Sequence, residues 1–124
     1  MLLRAQLAVL VLLIALNTWL GIDKNLYLSV WWWDIPTHFL GGVWAGLFAA
    51  WLFKMRRRKI SIMQCVGFAF AIGLGWEVFE FTEGLSGSPF MPYWVDTLKD
   101  LLVDSLGGAC AGTLVPRIQT LWRK

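Results

Sequence analysis

The chain alternates between long apolar segments and short polar ones, and four of the apolar segments are long enough to cross a bilayer. They occupy residues 2–20, 34–53, 60–81 and 95–115. About 20 apolar residues in a helix cover the roughly 30 Å hydrocarbon core of a membrane. The pattern therefore predicts an all-α membrane protein: a four-span transmembrane helical bundle that forms a single transmembrane domain over residues 1–124.

The first span has a second interpretation, because Arg4 precedes its apolar run as in a secretory signal peptide. The residues that follow the run, Asn17, Thr18 and Trp19, make a poor cleavage site, since cleavage requires small residues. We therefore expect the first span to be retained as a membrane anchor.

Composition agrees with a membrane protein and excludes an ordinary soluble domain. The chain is 58% hydrophobic and 15% charged, and it contains nine tryptophans. Both cysteines, Cys65 and Cys110, lie in apolar segments and are expected to be small packed side chains rather than a disulfide. The sequence has no nucleotide-binding glycine loop, no GxSxG elbow and no HExxH motif.

Charged residues are distributed unevenly between the two ends of the predicted bundle. Most bases flank the same ends of the spans: Arg4, the five bases of residues 54–59, Arg117, Arg123 and Lys124. All eight acids fall toward the opposite end. By the positive-inside rule both termini are cytoplasmic (N-in and C-in), and the protein is a multi-pass component of a cell membrane, with a bacterial or archaeal inner membrane as the expected location. The short basic loop is sufficient as a topology signal with affinity for anionic lipid headgroups, and no nucleic-acid partner is expected.

The last span carries Asp96, Asp100 and Asp104 at a spacing of four. In a helix this spacing forms one leaning column of carboxylates, about 12 Å long. The same face continues as Gly108 and Gly112. A charge at the bilayer centre costs at least ~2.5–3.5 kcal/mol, so the column requires protein, water, a cation or protonation.

Two other spans bring acids to a similar depth. Asp34 and His38 begin the second span, and Glu77 and Glu80 lie near the end of the third. On each span the acidic face continues as glycine and alanine, which let helix backbones approach closely in lipid. We therefore expect the three acidic faces to meet in a pocket that opens at the outer side of the membrane.

Simpler interpretations apply to several of these residues. Asp34 and Asp96 each begin a helix, where an aspartate is an ordinary N-cap. Asp34 and His38 could form a plain ion pair within one helix. Lys99 either extends outward to the interface or neutralises Asp96.

Three blocks of the chain resemble the small integral membrane proteins of the VanZ-like and YjdF-like families: DIPTHFLGG at 34–42, WEVFE at 76–80 and DTLKDLLVDSLGG at 96–108. Those families share an Asp-x3-His-Phe pattern, a glutamate motif, and an aspartate-rich segment followed by glycine. Asp104 stands where the VanZ pattern usually has asparagine, and the 82–94 loop lacks the arginine of that pattern, which favours the YjdF-like side. The resemblance implies a compact helical membrane fold with a polar cluster.

The leading functional hypothesis is a divalent metal site, since carboxylates and one imidazole suit Mg²⁺, Mn²⁺ or Zn²⁺. The predicted ligands are Asp34, His38, Glu77, Glu80, Asp100 and Asp104. If the protein is an enzyme, we expect a metal-dependent hydrolase or transferase acting on a lipid-linked, phosphate-bearing substrate, with His38, Glu77 and Asp100 as catalytic residues.

Two alternatives remain open. One is a proton- or cation-coupled transporter that works as a homo-oligomer, and the other is a non-catalytic accessory membrane protein of the cell envelope. All three hypotheses place the chain among membrane lipids.

Overall fold

The computed structural model describes residues 1–85 and 87–120, and within them the chain is helical with no strand. Its elements are α1 (Leu2–Ala15), a π segment that continues α1 (Leu16–Ile22), α2 (Leu26–Ser29), α3 (Asp34–Met55), α4 (Ile62–Thr82) and α5 (Tyr93–Thr120). Four stretches are long and apolar enough to cross a membrane: Leu2–Ile22, Asp34–Met55, Ile62–Thr82 and Tyr93–Gln119. The predicted all-α fold with four candidate spans is confirmed.

Three of the four spanning helices are slightly longer than predicted, α4 is one residue shorter, and two boundaries differ for identifiable reasons. The predicted connection at 21–30 contains α2, which follows a left-handed residue, Asn25, at φ 55°. The last span was expected to stop before Pro116, but α5 includes Pro116 and continues to Thr120. A proline removes one backbone hydrogen bond and crowds the carbonyl four residues before it, but helices in membranes tolerate it because neighbouring groups satisfy the freed carbonyl. Arg123 and Lys124, which were predicted to join the basic end, lie outside the described residues.

Helix α5 is central to the bundle because both α3 and α4 pack against it at glycine positions. A Cβ added at Gly42 would collide with the backbone carbonyl of Asp104, and one added at Gly108 would lie 2.8 Å from the carbonyl oxygen of Cys65. A Cβ at Gly46 would lie 2.6 Å from that of Ala111. The prediction that the small-residue faces meet is therefore confirmed.

An apolar core lies at the end of the bundle that carries the bases. It consists of buried side chains from α1, α3 and α5: Leu2, Val43, Leu47, Ala50, Ala111 and Val115. Ile60 and Ile118 pack against this core from the 54–61 loop and the last turns of α5. The start of α1, the basic loop and the end of α5 thus share one end of the bundle, the basic end, and the acids occupy the other, the acidic end.

At the acidic end a tyrosine links three elements. The Tyr27 hydroxyl lies 2.6 Å from Asn17 Oδ1, to which it donates, and 3.3 Å from Thr37 Oγ1. These contacts join the π segment, α2 and α3. Both cysteines are free, with Cys65 buried and Cys110 partly buried, as the sequence predicts.

Candidate metal centre

His38 is the centre of the acidic cluster and links α3 to α5. Its Nδ1 lies 3.3 Å from Asp104 Oδ2, and its Nε2 lies 3.6 Å from Asp100 Oδ2. Asp100 and Asp104 are one helical turn apart on α5, so their carboxylates reach opposite edges of one imidazole ring. Both aspartates are only 4% exposed. In the predicted column of acids, the two deeper members, Asp100 and Asp104, therefore face protein.

Glu77 reaches the same centre from α4 and is also 4% exposed. Its Oε2 accepts a hydrogen bond of 2.7 Å from the Thr97 hydroxyl. Its Oε1 is buried and has no hydrogen-bond partner among the described residues. An ionised carboxylate oxygen left in this state is costly, because a buried charge requires compensation.

Two groups of side chains have ligand atoms that all lie within 4.8 Å of one another. The first, which we call the His38 group, consists of His38, Glu77 and Asp100. The second, the Lys99 group, consists of Asp34, Asp96 and Asp100, and it surrounds the ammonium of Lys99. Asp100 belongs to both groups and connects them.

Lys99 supplies a cation to the second group. Its Nζ donates to Asp34 Oδ2 and, over 2.7 Å, to Asp96 Oδ1, and it lies 3.4 Å from Asp100 Oδ1. Of the two interpretations of Lys99, neutralisation of Asp96 is confirmed. The Lys99 group thus contains its own positive charge, whereas the His38 group contains the imidazole and shares Lys99 only through Asp100.

The interpretations of Asp34 as an N-cap and as a partner of His38 are wrong. Trp33 occupies the N-cap position of α3, where no side-chain cap bond forms. The Asp34 carboxylate instead accepts from Lys99 on α5. A charge-assisted bond to an ammonium outcompetes a neutral backbone donor at this depth. Asp96 likewise pairs with Lys99 and lies in the first turn of α5, which begins at Tyr93.

Two of the predicted ligands lie in neither group. Glu80 is half-buried, and its Oε1 accepts a hydrogen bond of 2.8 Å from Trp76 Nε1 on the same helix. Three residues along a helix turn a side chain about 60° from its neighbour, which separates Glu80 from Glu77. Asp104 contacts the His38 ring from the far side. The structure therefore brings Asp34, His38, Glu77 and Asp100 of the predicted ligands into the two groups.

The sequence placed small residues on the faces that meet, but it did not reveal that the glycines of α3 and α4 enclose Asp104. Asp104 lies against α4 at Gly73, where an added Cβ would overlap Asp104 Oδ2 and lie 2.9 Å from its Cγ. Gly41 and Gly42 border the same aspartate from α3. The signal in the sequence was the position of Gly73 one turn before Glu77, on the same face of α4.

The acidic cluster is closely packed. Cavities of about 360 and 760 Å³ lie elsewhere: one at the basic end and one on the outer side of α3 and α4. The predicted opening toward the outer face stays a prediction. Packing of this kind fits an ion better than it fits a large bound molecule.

Comparison with known proteins places the chain in a family. No curated protein and no solved structure matches it. The family described as "Predicted membrane protein (DUF2238)" matches residues 2–120, which is nearly the whole chain. This match agrees with the four candidate spans. The chain belongs to this family of predicted membrane proteins.

Proposed function

We propose that this integral membrane protein binds one divalent metal ion in the His38 group. The observation that carries the proposal is the convergence of His38, Glu77 and Asp100 within 4.8 Å, with Glu77 Oε1 buried and unpartnered. An imidazole nitrogen and two carboxylates form a donor set typical of Zn²⁺ and Mn²⁺, and Mg²⁺ accepts the carboxylates. Three protein ligands leave further coordination positions for water or a substrate oxygen.

The charge balance of the cluster supports a bound cation. Five carboxylates lie within it, from Asp34, Glu77, Asp96, Asp100 and Asp104, against one ammonium and one imidazole. Carboxylates crowded together away from water do not all remain ionised without a counter-charge. A divalent ion at the His38 group supplies two positive charges beside Glu77, whereas Lys99 contacts only Asp100 of that group.

Asp104 fits a supporting role in this site. Histidines that bind metal through one ring nitrogen usually hydrogen-bond a carboxylate through the other, which fixes the ring and its tautomer. Asp104 Oδ2 lies 3.3 Å from Nδ1 of His38. The other nitrogen, Nε2, then faces Asp100 and serves as the metal ligand.

We extend the proposal to a metal-dependent hydrolase or transferase acting on a lipid-linked phosphate or pyrophosphate. The cluster lies one to two turns from the helix ends, near the depth of lipid headgroups. The metal would polarise a phosphate oxygen or activate water, Lys99 would offer a second positive charge, and Glu77 or His38 would act as general base. These three residues all lie in the blocks that resemble the VanZ-like and YjdF-like families, so the proposal extends to proteins that carry the same blocks.

Metal analysis of the purified protein tests the binding step. We expect about one Zn²⁺ or Mn²⁺ per chain after dialysis against each metal, and loss of the ion in Asp100→Asn. Glu83→Gln is the matched control, because Glu83 is an exposed acid at the end of α4. A wild type that retains no metal, or an Asp100→Asn variant that binds as the wild type does, contradicts the proposal.

Catalysis has a separate test. The metal-loaded protein is incubated in micelles with a long-chain prenyl pyrophosphate, and phosphate release is measured. Glu77→Gln should abolish the release while the Glu83→Gln control retains it. Metal binding without phosphate release limits the function to ion binding.

Transport is the second candidate, and one observation favours it. Asp104, His38 and Asp100 form a continuous series between two spans, α3 and α5, with separations of 3.3 and 3.6 Å. Ionisable series of this kind relay protons in membranes. Proton or cation flux in liposomes that Glu77→Gln abolishes would support transport, and flux no greater than that of empty liposomes would exclude it. A stoichiometric co-purified protein, without metal or flux, would indicate the accessory role.

A further inference from the structure

A second feature of the molecule, at the opposite end from the acidic cluster, has the form of a ligand site. A cavity of about 360 Å³ lies between the first turn of α1 and the last turn of α3, and it is lined by Met1, Leu2, Leu3, Trp51, Lys54, Met55 and Arg57. Leu2, which is 1% exposed, and Trp51 belong to the apolar core and form the floor. Leu3 and Met55 are 45% and 68% exposed and form apolar walls.

Two cations lie at this cavity without an internal counter-charge. Among the described residues, neither Lys54 nor Arg57 forms an ion pair with a carboxylate. The sequence has no acid between His38 and Trp76, and every acid belongs to the other end of the bundle. The positive charge at the cavity is therefore available to a ligand.

The backbone holds Arg57 in an unfavourable conformation at this position. Its φ is 54°, in the left-handed region. Arg58 N donates to Phe53 O over 2.8 Å and Arg57 N donates to Lys54 O over 3.0 Å, which is the pattern that ends a helix with a left-handed residue. Glycine is usual there, because a Cβ in this conformation is strained. The chain keeps an arginine where glycine would suit the fold better.

We propose that this cavity binds the phosphate of an anionic phospholipid, held by Lys54 and Arg57. Its apolar floor and walls adjoin the two cationic side chains, so they match the glycerol and first acyl carbons that adjoin a phosphate. A free phosphate would leave the apolar side chains of Leu3 and Met55 exposed, whereas the apolar part of a lipid would cover them. Each lysine or arginine close to an anionic lipid surface strengthens binding to that surface by about fivefold.

Native mass spectrometry of the full chain in detergent micelles tests the proposal, with added dioleoyl phosphatidylglycerol or phosphatidylcholine as probes. We expect phosphatidylglycerol to bind preferentially, and the double variant Lys54→Gln, Arg57→Gly to weaken its binding by about 25-fold. The matched control is Arg56→Gln with Arg58→Gln, which removes two charges from the same loop but none from the cavity. The control should change binding by less than about threefold.

Equal losses in the two double variants would overturn the proposal, because they indicate diffuse attraction by the loop. Absence of a preference for phosphatidylglycerol would do the same. Inorganic phosphate, added at constant ionic strength, should leave the bound lipid in place, and displacement at millimolar concentration would show that the ligand is a free anion. Arg57→Gly alone should weaken lipid binding about fivefold with an equal or higher melting temperature, which separates a binding role from a structural one.

Discussion

Alanine at Gly73 tests whether Asp104 fills the space that the glycines leave. The new Cβ would overlap Asp104 Oδ2 and lie 2.9 Å from Cγ and 3.2 Å from Cβ of that residue. Asp104 has little room to retreat, because its backbone already contacts α3 at Gly42. The carboxylate must therefore shift or rotate, which disturbs the 3.3 Å contact between its Oδ2 and His38 Nδ1.

The expected loss in the free energy of unfolding of Gly73→Ala combines three contributions. Overpacking costs about 1–3 kcal/mol, and loss of the charged hydrogen bond to His38 costs about 1.5–3 kcal/mol. Replacement of glycine by alanine within a helix returns about 0.8–1.0 kcal/mol. Gly73→Ala should therefore destabilise the protein by about 1.5–5 kcal/mol. Because Asp104 orients the proposed metal ligand, the variant should also weaken metal binding by about 10–100-fold.

The assay compares two alanine variants of the same helix. Gly67 has no atom within 4 Å of an added Cβ, so Gly67→Ala should be neutral or stabilising by up to about 1 kcal/mol. Unfolding of both variants and the wild type is followed in detergent by thermal and denaturant titration, and metal binding is then measured on the folded proteins. If Gly73→Ala is as stable as Gly67→Ala and binds metal equally well, the proposed packing around Asp104 is wrong.

Three further predictions concern single side chains. Lys99→Met leaves three carboxylates together without their cation and should destabilise the protein by about 3–5 kcal/mol. Added Mn²⁺ should raise the melting temperature of this variant by more than it raises that of the wild type, and a variant that is stable without metal would contradict this. Thr97→Val removes the donor to Glu77 and should weaken metal binding by about 10–100-fold in a direct titration, and unchanged affinity would argue against Glu77 as a ligand. Burial raises the pKa of Tyr27 above its ordinary value of 10.0, so the folded chain holds the phenolic proton more tightly and stability falls as pH rises above about 10. Tyr27→Phe should lose about 1 kcal/mol at neutral pH and show a flatter decline in alkaline denaturation, and an equal decline would refute the assignment.

Local patterns in the sequence were enough to predict the spans and the faces that meet. The length of an apolar segment is sufficient to predict a spanning helix, because the thickness of the bilayer sets the length that such a helix needs. Glycine and alanine at intervals of four mark a face that another backbone approaches, as Gly42 and Gly108 show. The same periodicity placed Asp100 and Asp104 on the inner face of α5, where they are buried.

Contacts between distant residues could not be read in the same way. The lysine side chain is long and flexible, and Lys99 reaches an aspartate 65 residues away in sequence. Because of that contact, Asp34 neither caps α3 nor pairs with His38, and His38 contacts Asp100 and Asp104 instead. Which of Glu77 and Glu80 faces the cluster depends on how far α4 is turned about its axis, and a single sequence does not specify that angle.

The fit of Asp104 between glycines also determines which parts of the bundle can move. A slide of α5 by one turn, about 5.4 Å, would push its carboxylate against the backbones of α3 and α4, so axial motion between these three helices is mechanically blocked. Helix α1 is not interlocked in this way, because it packs chiefly on α3. A tilt of α1 against α3 meets no such obstacle, and it would change the volume of the cavity at the basic end, which lies between these two helices.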